Sequence, residues 1–122
     1  MSRIARAQAY PSRPVRIIVG FPAGSGPDII ARLIGQGFSE RLGQPFVIEN
    51  RTGAGGNIGT ESVVRATPDG YTLLLVGLSN AMNATLYKKL NFNFIRDIAP
   101  VASIGGALYV VVINPSEIIA MR

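Results

Sequence analysis

The chain contains neither cysteine nor histidine. Without cysteine it has no disulfide and no thiolate metal site, and without histidine it lacks the side chain best suited to acid/base work near neutral pH. The missing cysteine fits an exported and a cytosolic home equally well. No apolar run reaches the roughly 18 residues that a membrane-spanning helix requires. Charged residues make up only 16% against 48% hydrophobic, the balance of a globular chain. Carboxylates are scarcest: seven Asp and Glu stand against twelve Lys and Arg, for a net charge of +5.

That basic excess is scattered from Arg3 to Arg122, with only Lys88 and Lys89 adjacent and no interleaved aromatic stripe. Nucleic acid is therefore not an expected partner. A solvated surface with a field favourable to anionic solutes is. Catalysis also lacks its parts. Asp28, at a helix start, and Glu49, at a strand end, are the carboxylates placed to approach a cleft, while Glu40, Glu61, Asp69, Asp97 and Glu117 suit surface or turn positions. With no Ser-Lys pair of convincing spacing either, the chain is not read as an enzyme, and no cofactor or metal is expected.

What is present is organised around Gly20 to Arg32. Val15, Ile17 and Val19 alternate with Arg16 and Ile18 as in a strand, and Ile30, Leu33, Ile34, Phe38 and Leu42 recur at helical spacing. A strand thus feeds a helix through a glycine loop. Pro27 suits the first helical position and Asp28 the first turn, where negative charge is favoured. Such a helix start offers free N–H groups to a carboxylate or phosphate, although many glycine loops of this kind are only tight turns.

Further on, the helix is expected to run to Leu42, with Gly43 as its cap and Pro45 preventing continuation. A short strand over about Phe46 to Glu49 leads to a second glycine loop, Asn50 to Gly59, opening a helix that reaches about Ala66. Gly53, Gly55 and Gly59 do not spell the dinucleotide fingerprint, since Ile58 stands where its third glycine belongs and Asp69 comes too early for the ribose-binding acid. Pro68-Asp-Gly70 signals a turn before a buried strand over Tyr71 to Val76. The loop Gly77 to Asn83 brings a hydroxyl and two amides to another helix start. Strands are also expected over about Val101 to Ile104 and Leu108 to Ile113, broken at Gly105-Gly106. Strands separated by helical segments make βαβ units, hence a parallel sheet covered on both faces. The loops after its first three strands then share one edge, the edge where ligands of such sheets collect.

Several motifs occur together and in order. They are Phe21-Pro-Ala-Gly-Ser-Gly-Pro-Asp28 with Ala31-Arg32, Glu40-Arg-Leu-Gly-Gln-Pro45, Glu49-Asn-Arg-Thr-Gly-Ala-Gly-Gly-Asn-Ile-Gly59, Asp69-Gly-Tyr-Thr-Leu-Leu-Leu75, and Leu86-Tyr-Lys-Lys-Leu90. Over roughly Tyr10 to Ser116 the chain resembles the tripartite tricarboxylate transporter substrate-binding family, the Bug receptors. The resemblance implies an extracytoplasmic, periplasmic receptor of two α/β lobes that closes on a small carboxylated solute and delivers it to the membrane subunits of a tripartite tricarboxylate-type transporter.

Members of that family are more than twice as long, so the fold implied is an α/β, parallel-sheet lobe of a type II periplasmic-binding-protein-like fold, incomplete. The second lobe and the strands returning to the first are not expected. Residues 10–116 would be a partial first lobe and residues 117–122 a divergent tail. Residues 1–9 would be the stump of an export signal, with small residues in Ala5-Arg-Ala-Gln-Ala9, or a frayed terminus. The alternative function is a truncated remnant, inactive alone or acting only with another chain. An unfinished sheet would also leave open edges through which copies self-associate.

By the same resemblance the ligand-binding candidates are Phe21, Ala23, Gly24, Ser25 and Asp28 in the first loop. Gly55 and Asn57, with Gly56 between them, join from the second, and Ser79, Asn80 and Asn83 from the third. Ser79 and Asn83 match a family Thr/Ser-x-x-x-Asn pattern. Each has a structural alternative: the glycines as turn formers, Ser79 as a helix cap. Asp28 either fixes the loop through first-turn N–H groups or Arg32, or selects solutes bearing an amino group. Pro27 replaces a polar residue common in the family and removes one N–H donor.

Overall fold

The computed structural model describes residues 9–106. Its elements are strand β1 (Val15–Val19), helix α1 (Gly26–Leu42), strand β2 (Phe46–Asn50), a short 3₁₀ turn (Ala54–Gly56) running into helix α2 (Asn57–Val64), strand β3 (Thr72–Leu75) and helix α3 (Leu78–Leu86). The expected strands around 15, 46 and 71 and the expected helices are all there, to within a few residues.

The sheet is parallel, in the order β2-β1-β3. β1 is central because it is apolar on both sides: Val15, Ile17, Ile18 and Val19 are buried. Ile17 and Val19 face α1, packing with Ala31, Phe46, Ile48, Leu73 and Leu75. Ile18 points to the opposite face by strand alternation, toward α2, where a Cβ built on Gly59 would stand 3.5 Å from its Cγ2. Both faces are therefore covered, as the βαβ pattern predicts.

α1 stops where expected, at Gly43 with φ 71, whose N–H donates to the Ser39 carbonyl. Its buried side differs from the apolar spacing that reveals the helix. Asp28, Ala31 and Gly35 face inward, whereas Ile30, Leu33, Phe38 and Leu42 are exposed. The sheet side takes small residues because the helix lies close: a Cβ on Gly35 would come 3.0 Å from Ile48 Cδ1.

Two strand expectations are corrected. β3 is shorter than Tyr71 to Val76 and half-buried rather than buried, because among the described residues it has β1 on one side only. Val101 to Ile104 forms no strand. No described strand lies alongside it to complete a ladder, and Val101 is 83% exposed. The expected strand Leu108 to Ile113, the export-signal stump as far as residue 8, and the tail 117–122 lie outside the described residues. Among those described, no helix is long and apolar enough to cross a membrane.

Candidate functional site

Val19, the last residue of β1, is level with Asn50 of β2 and Leu75 of β3. Three parallel strands ending together release their loops at one edge, the carboxyl edge of the sheet. Glycines bring those loops into contact. A Cβ on Gly20 would stand 3.0 Å from Gly56 Cα, and one on Gly59 would stand 2.9 Å from the Arg51 carbonyl oxygen and 3.2 Å from Gly20 Cα. No larger side chain fits there without backbone movement. At the third loop a Cβ on Gly77 would be 3.2 Å from Phe21 Cζ, so the Phe21 ring reaches from the first loop to the third.

In the first loop Ala23 and Gly24 are exposed, while Phe21 and Ser25 are half-buried. Ser25 is the residue before α1, but its hydroxyl donates to the Pro22 carbonyl at 2.6 Å instead of capping the helix. Asp28 is only 2% exposed. Its Oδ2 accepts from the Gly24 N–H at 2.8 Å and from Arg32 Nε at 2.9 Å, and its Oδ1 accepts from Asn50 Nδ2 at 2.9 Å. These donors, the Arg32 guanidinium first, hold the carboxyl well below the usual carboxylate range against the opposing effect of burial. Asn50 also donates to the Phe21 carbonyl at 3.0 Å and accepts from Arg32 Nη2 at 3.2 Å. Asp28 is thus tied to Arg32 and the loop backbone, and its charge is compensated within the chain.

The second loop is a run of left-handed residues: φ is 119 at Gly53, 47 at Ala54, 65 at Gly55 and 93 at Gly56. Side chains hold it. Asn83 Nδ2 donates to the Gly55 carbonyl at 2.8 Å and to Asn57 Oδ1 at 2.9 Å, and Thr60 Oγ1 donates to the Gly56 carbonyl at 3.0 Å. Asn80 Nδ2 in turn donates to Thr60 Oγ1 at 3.0 Å, while its Oδ1 accepts from the Gly77 N–H at 2.8 Å.

Gly77, not Ser79, is therefore the cap of α3, and Ser79 lies inside its first turn. The residues Leu78 to Asn83 belong to the helix rather than to a loop, because the Asn80 side chain satisfies the Gly77 N–H and starts the helix early. Two buried side-chain atoms here have no protein partner among the described residues, Asn57 Nδ2 and Ser79 Oγ.

All ten candidate residues thus sit at one edge, but they divide. Asp28, Asn57, Asn80 and Asn83 are buried and bonded to their own chain. Phe21, Ala23, Gly24, Ser25 and Gly55 keep exposed surface, and Ser79 is half-buried with its Oγ inward. Asn50 and Thr60 also hold this edge, although neither is among the ten candidates. The signal for Asn50 is a polar residue continuing the core-facing alternation of Phe46 and Ile48 at a strand end; Thr60 gives none, since a helix accepts threonine anywhere.

A depression of about 360 Å³ lies elsewhere, lined by Arg13, Arg16, Arg65, Asp69 and Tyr71. It holds three guanidiniums, but Arg13 pairs with Asp69, Arg16 with Glu49 and Arg65 with Glu61. It offers an anion no uncommitted charge and is not the candidate site.

The chain is similar to known proteins in sequence and in fold. The chain is 40% identical over 111 residues to protein BugT of Bordetella pertussis, covering 89% of this chain and 34% of that protein. The structure of a periplasmic transporter superposes with a TM-score of 0.65 at 47% identity, covering 72% of this chain and 30% of the other. MatC from Rhodopseudomonas palustris with bound malate superposes with a TM-score of 0.66 at 39% identity, again over 72% and 30%. The chain spans about a third of the length of these relatives. The fold is accordingly the parallel-sheet part of a periplasmic binding protein, present in part. Residues 30–120 match the family model described as the tripartite tricarboxylate transporter family receptor, and the chain belongs to that family.

Proposed function

We propose that the chain contributes one side of a binding site for small carboxylated solutes in an extracytoplasmic receptor that serves a tripartite tricarboxylate-type transporter. The observation that carries this reading is the convergence of the three loops on one sheet edge. There the start of α1 is flanked by a carboxylate, Asp28, whose charge Arg32 already compensates. A helix start with its nearest negative charge offset accepts an anion; one with an unpaired carboxylate repels it. The malate bound by MatC supports a dicarboxylate as the solute class. Ser79 Oγ, buried and without a protein partner among the described residues, is the hydroxyl offered to it.

The groups at this edge bind and orient; they do not form a nucleophile-and-base pair, and family membership supports reception rather than catalysis. A second reading has its own support. The chain spans about a third of its relatives, and among the described residues nothing covers the first loop at Ala23 and Gly24, which are exposed, so the complete cleft would require another stretch of protein, in the same or another chain. A solute on an open surface exchanges its hydrogen bonds for nearly equivalent ones with water.

Calorimetric titration of the folded chain with di- and tricarboxylates and acidic amino acids separates the two. Saturable binding weakened by Ser79→Ala supports the autonomous site. A folded chain that stays silent toward every solute supports the second reading and rules out independent binding.

A further inference from the structure

We infer that Asn83 is a positioning residue of the binding edge: from α3 it holds the Ala54–Gly56 turn in its left-handed form, and it does not touch the solute. The inference rests on the carboxylate-binding reading above but assigns the amide a different task from the contact that its family pattern implies. Asn83 is 4% exposed. Its Nδ2 carries two protons, and both are used, one on the Gly55 carbonyl at 2.8 Å and one on Asn57 Oδ1 at 2.9 Å. What remains is Oδ1, an acceptor, which is mismatched to the acceptor oxygens of a carboxylate.

The turn has reason to need holding. Four consecutive residues at positive φ include Ala54, which has a Cβ and disfavours that region. Asn83 fixes the Gly55 carbonyl and Thr60 the next one, at Gly56. Because each peptide is planar, fixing those oxygens also fixes the Gly56 and Asn57 N–H groups, which donate within the turn to the Gly53 and Ala54 carbonyls and close it. Asn80 braces Thr60 from α3 at 3.0 Å. The second and third loops are thereby joined through buried side chains into one unit.

The test combines amide NMR spectra of the whole chain with calorimetric titration of malate, using Asn83→Ala and Thr60→Val. Thr60 is 1% exposed and lies too deep to meet a solute. Both variants are expected to move the Gly55, Gly56 and Asn57 amide resonances before any solute is added, and both to weaken malate binding by roughly tenfold. Unmoved resonances in Asn83→Ala overturn the inference, as does weaker binding in Asn83→Ala with none in Thr60→Val. If the native chain binds no malate, the binding reading fails by itself, and the solute-free resonances still decide the role of Asn83. If Asn83→Ala does not fold, the native side chain decides it. Its Nδ2 protons are expected to exchange far more slowly than those of exposed Asn93, and equal exchange rates overturn the inference.

Discussion

Asn50 Nδ2 lies 2.9 Å from Asp28 Oδ1, a bond that joins the last residue of β2 to the first turn of α1. The first loop, between β1 and α1, is therefore shaped from outside itself. Asn50 also holds the Phe21 carbonyl where the loop begins, and Asp28 holds the Gly24 N–H at its middle. Two neighbouring elements thus set a loop whose own residues are mostly Gly, Pro, Ala and Ser. Arg32 completes the clasp by meeting both Asp28 and Asn50.

Asp28→Asn should lower stability and make it less sensitive to acid. An amide in place of the carboxylate loses the charge-assisted bond to Arg32 and sets an NH₂ group against at least one of the surrounding donors. The sign of the pH effect follows from the depressed folded-state value. The contribution of Asp28 is fully present above the unfolded value, near 3.9, and is lost as pH falls toward the lower folded one. Urea midpoints of the native and variant chains should differ by a constant amount between about pH 5 and 7, and the gap should begin to narrow below about pH 4 and go on narrowing as the pH falls further. A gap unchanged into acid would show that the carboxylate is not the group at work. Affinity lost only for amino-bearing solutes would contradict a purely structural role.

Ser79→Ala should separate stability from binding. Ser79 Oγ is buried with no protein partner among the described residues, so removing it deletes no internal hydrogen bond. Burying an unsatisfied hydroxyl is unfavourable, and its loss should leave stability unchanged or raise it by about 1 kcal/mol. Thermal unfolding checks the first half of this expectation and solute titration the second, where affinity should fall. A variant that is clearly less stable would mean that the hydroxyl has a partner within the chain.

The legible parts of this fold are those set by local chemistry. β1 shows in its unbroken apolar run, the end of α1 in Gly43 and Pro45, and the turn before β3 in Pro68-Asp-Gly70. The three-loop edge follows from the alternation of strand and helix alone. The orientation of α1 does not, because its large apolar residues mark the helical period while Ala31 and Gly35 decide the close contact. Nor does the fate of Val101 to Ile104, since a strand exists only with a partner, and pairing is a property of distant sequence. At the candidate site, residue types alone do not separate roles: an asparagine looks the same in sequence whether its amide meets a solute or a carbonyl of its own chain, as at Asn83.

Gly59→Ala and Gly37→Ala should move stability in opposite directions, although both replace a helical glycine by the best helix former. A Cβ at Gly59 would meet two backbone atoms, the Arg51 carbonyl at 2.9 Å and Gly20 Cα at 3.2 Å, whereas one at Gly37 meets nothing within 4 Å. Backbone does not yield as a flexible side chain does, so Gly59→Ala should cost about 1–3 kcal/mol and loosen the contact between the first loop and α2. Gly37→Ala should gain about 0.5–1 kcal/mol from helix propensity. Paired denaturant titrations check both, and a stabilised Gly59→Ala would mean that the glycine packing at the carboxyl edge is not tight.

The open edges should make the chain associate with itself. Among the described residues β2 and β3 each have a partner on one side only, and Val47 of β2 is 45% exposed. An edge with unpaired N–H and C=O groups and apolar side chains invites strand addition, which a lysine on the edge discourages. Leu33 on α1 is 66% exposed and provides a competing apolar surface. Sedimentation velocity across a concentration series should show association for the native chain and less for Val47→Lys, with Leu33→Lys closer to native. If Leu33→Lys alone dispersed the assembly, the helix face and not the sheet edge would be the contact; a native chain monomeric throughout would mean that the edges are covered.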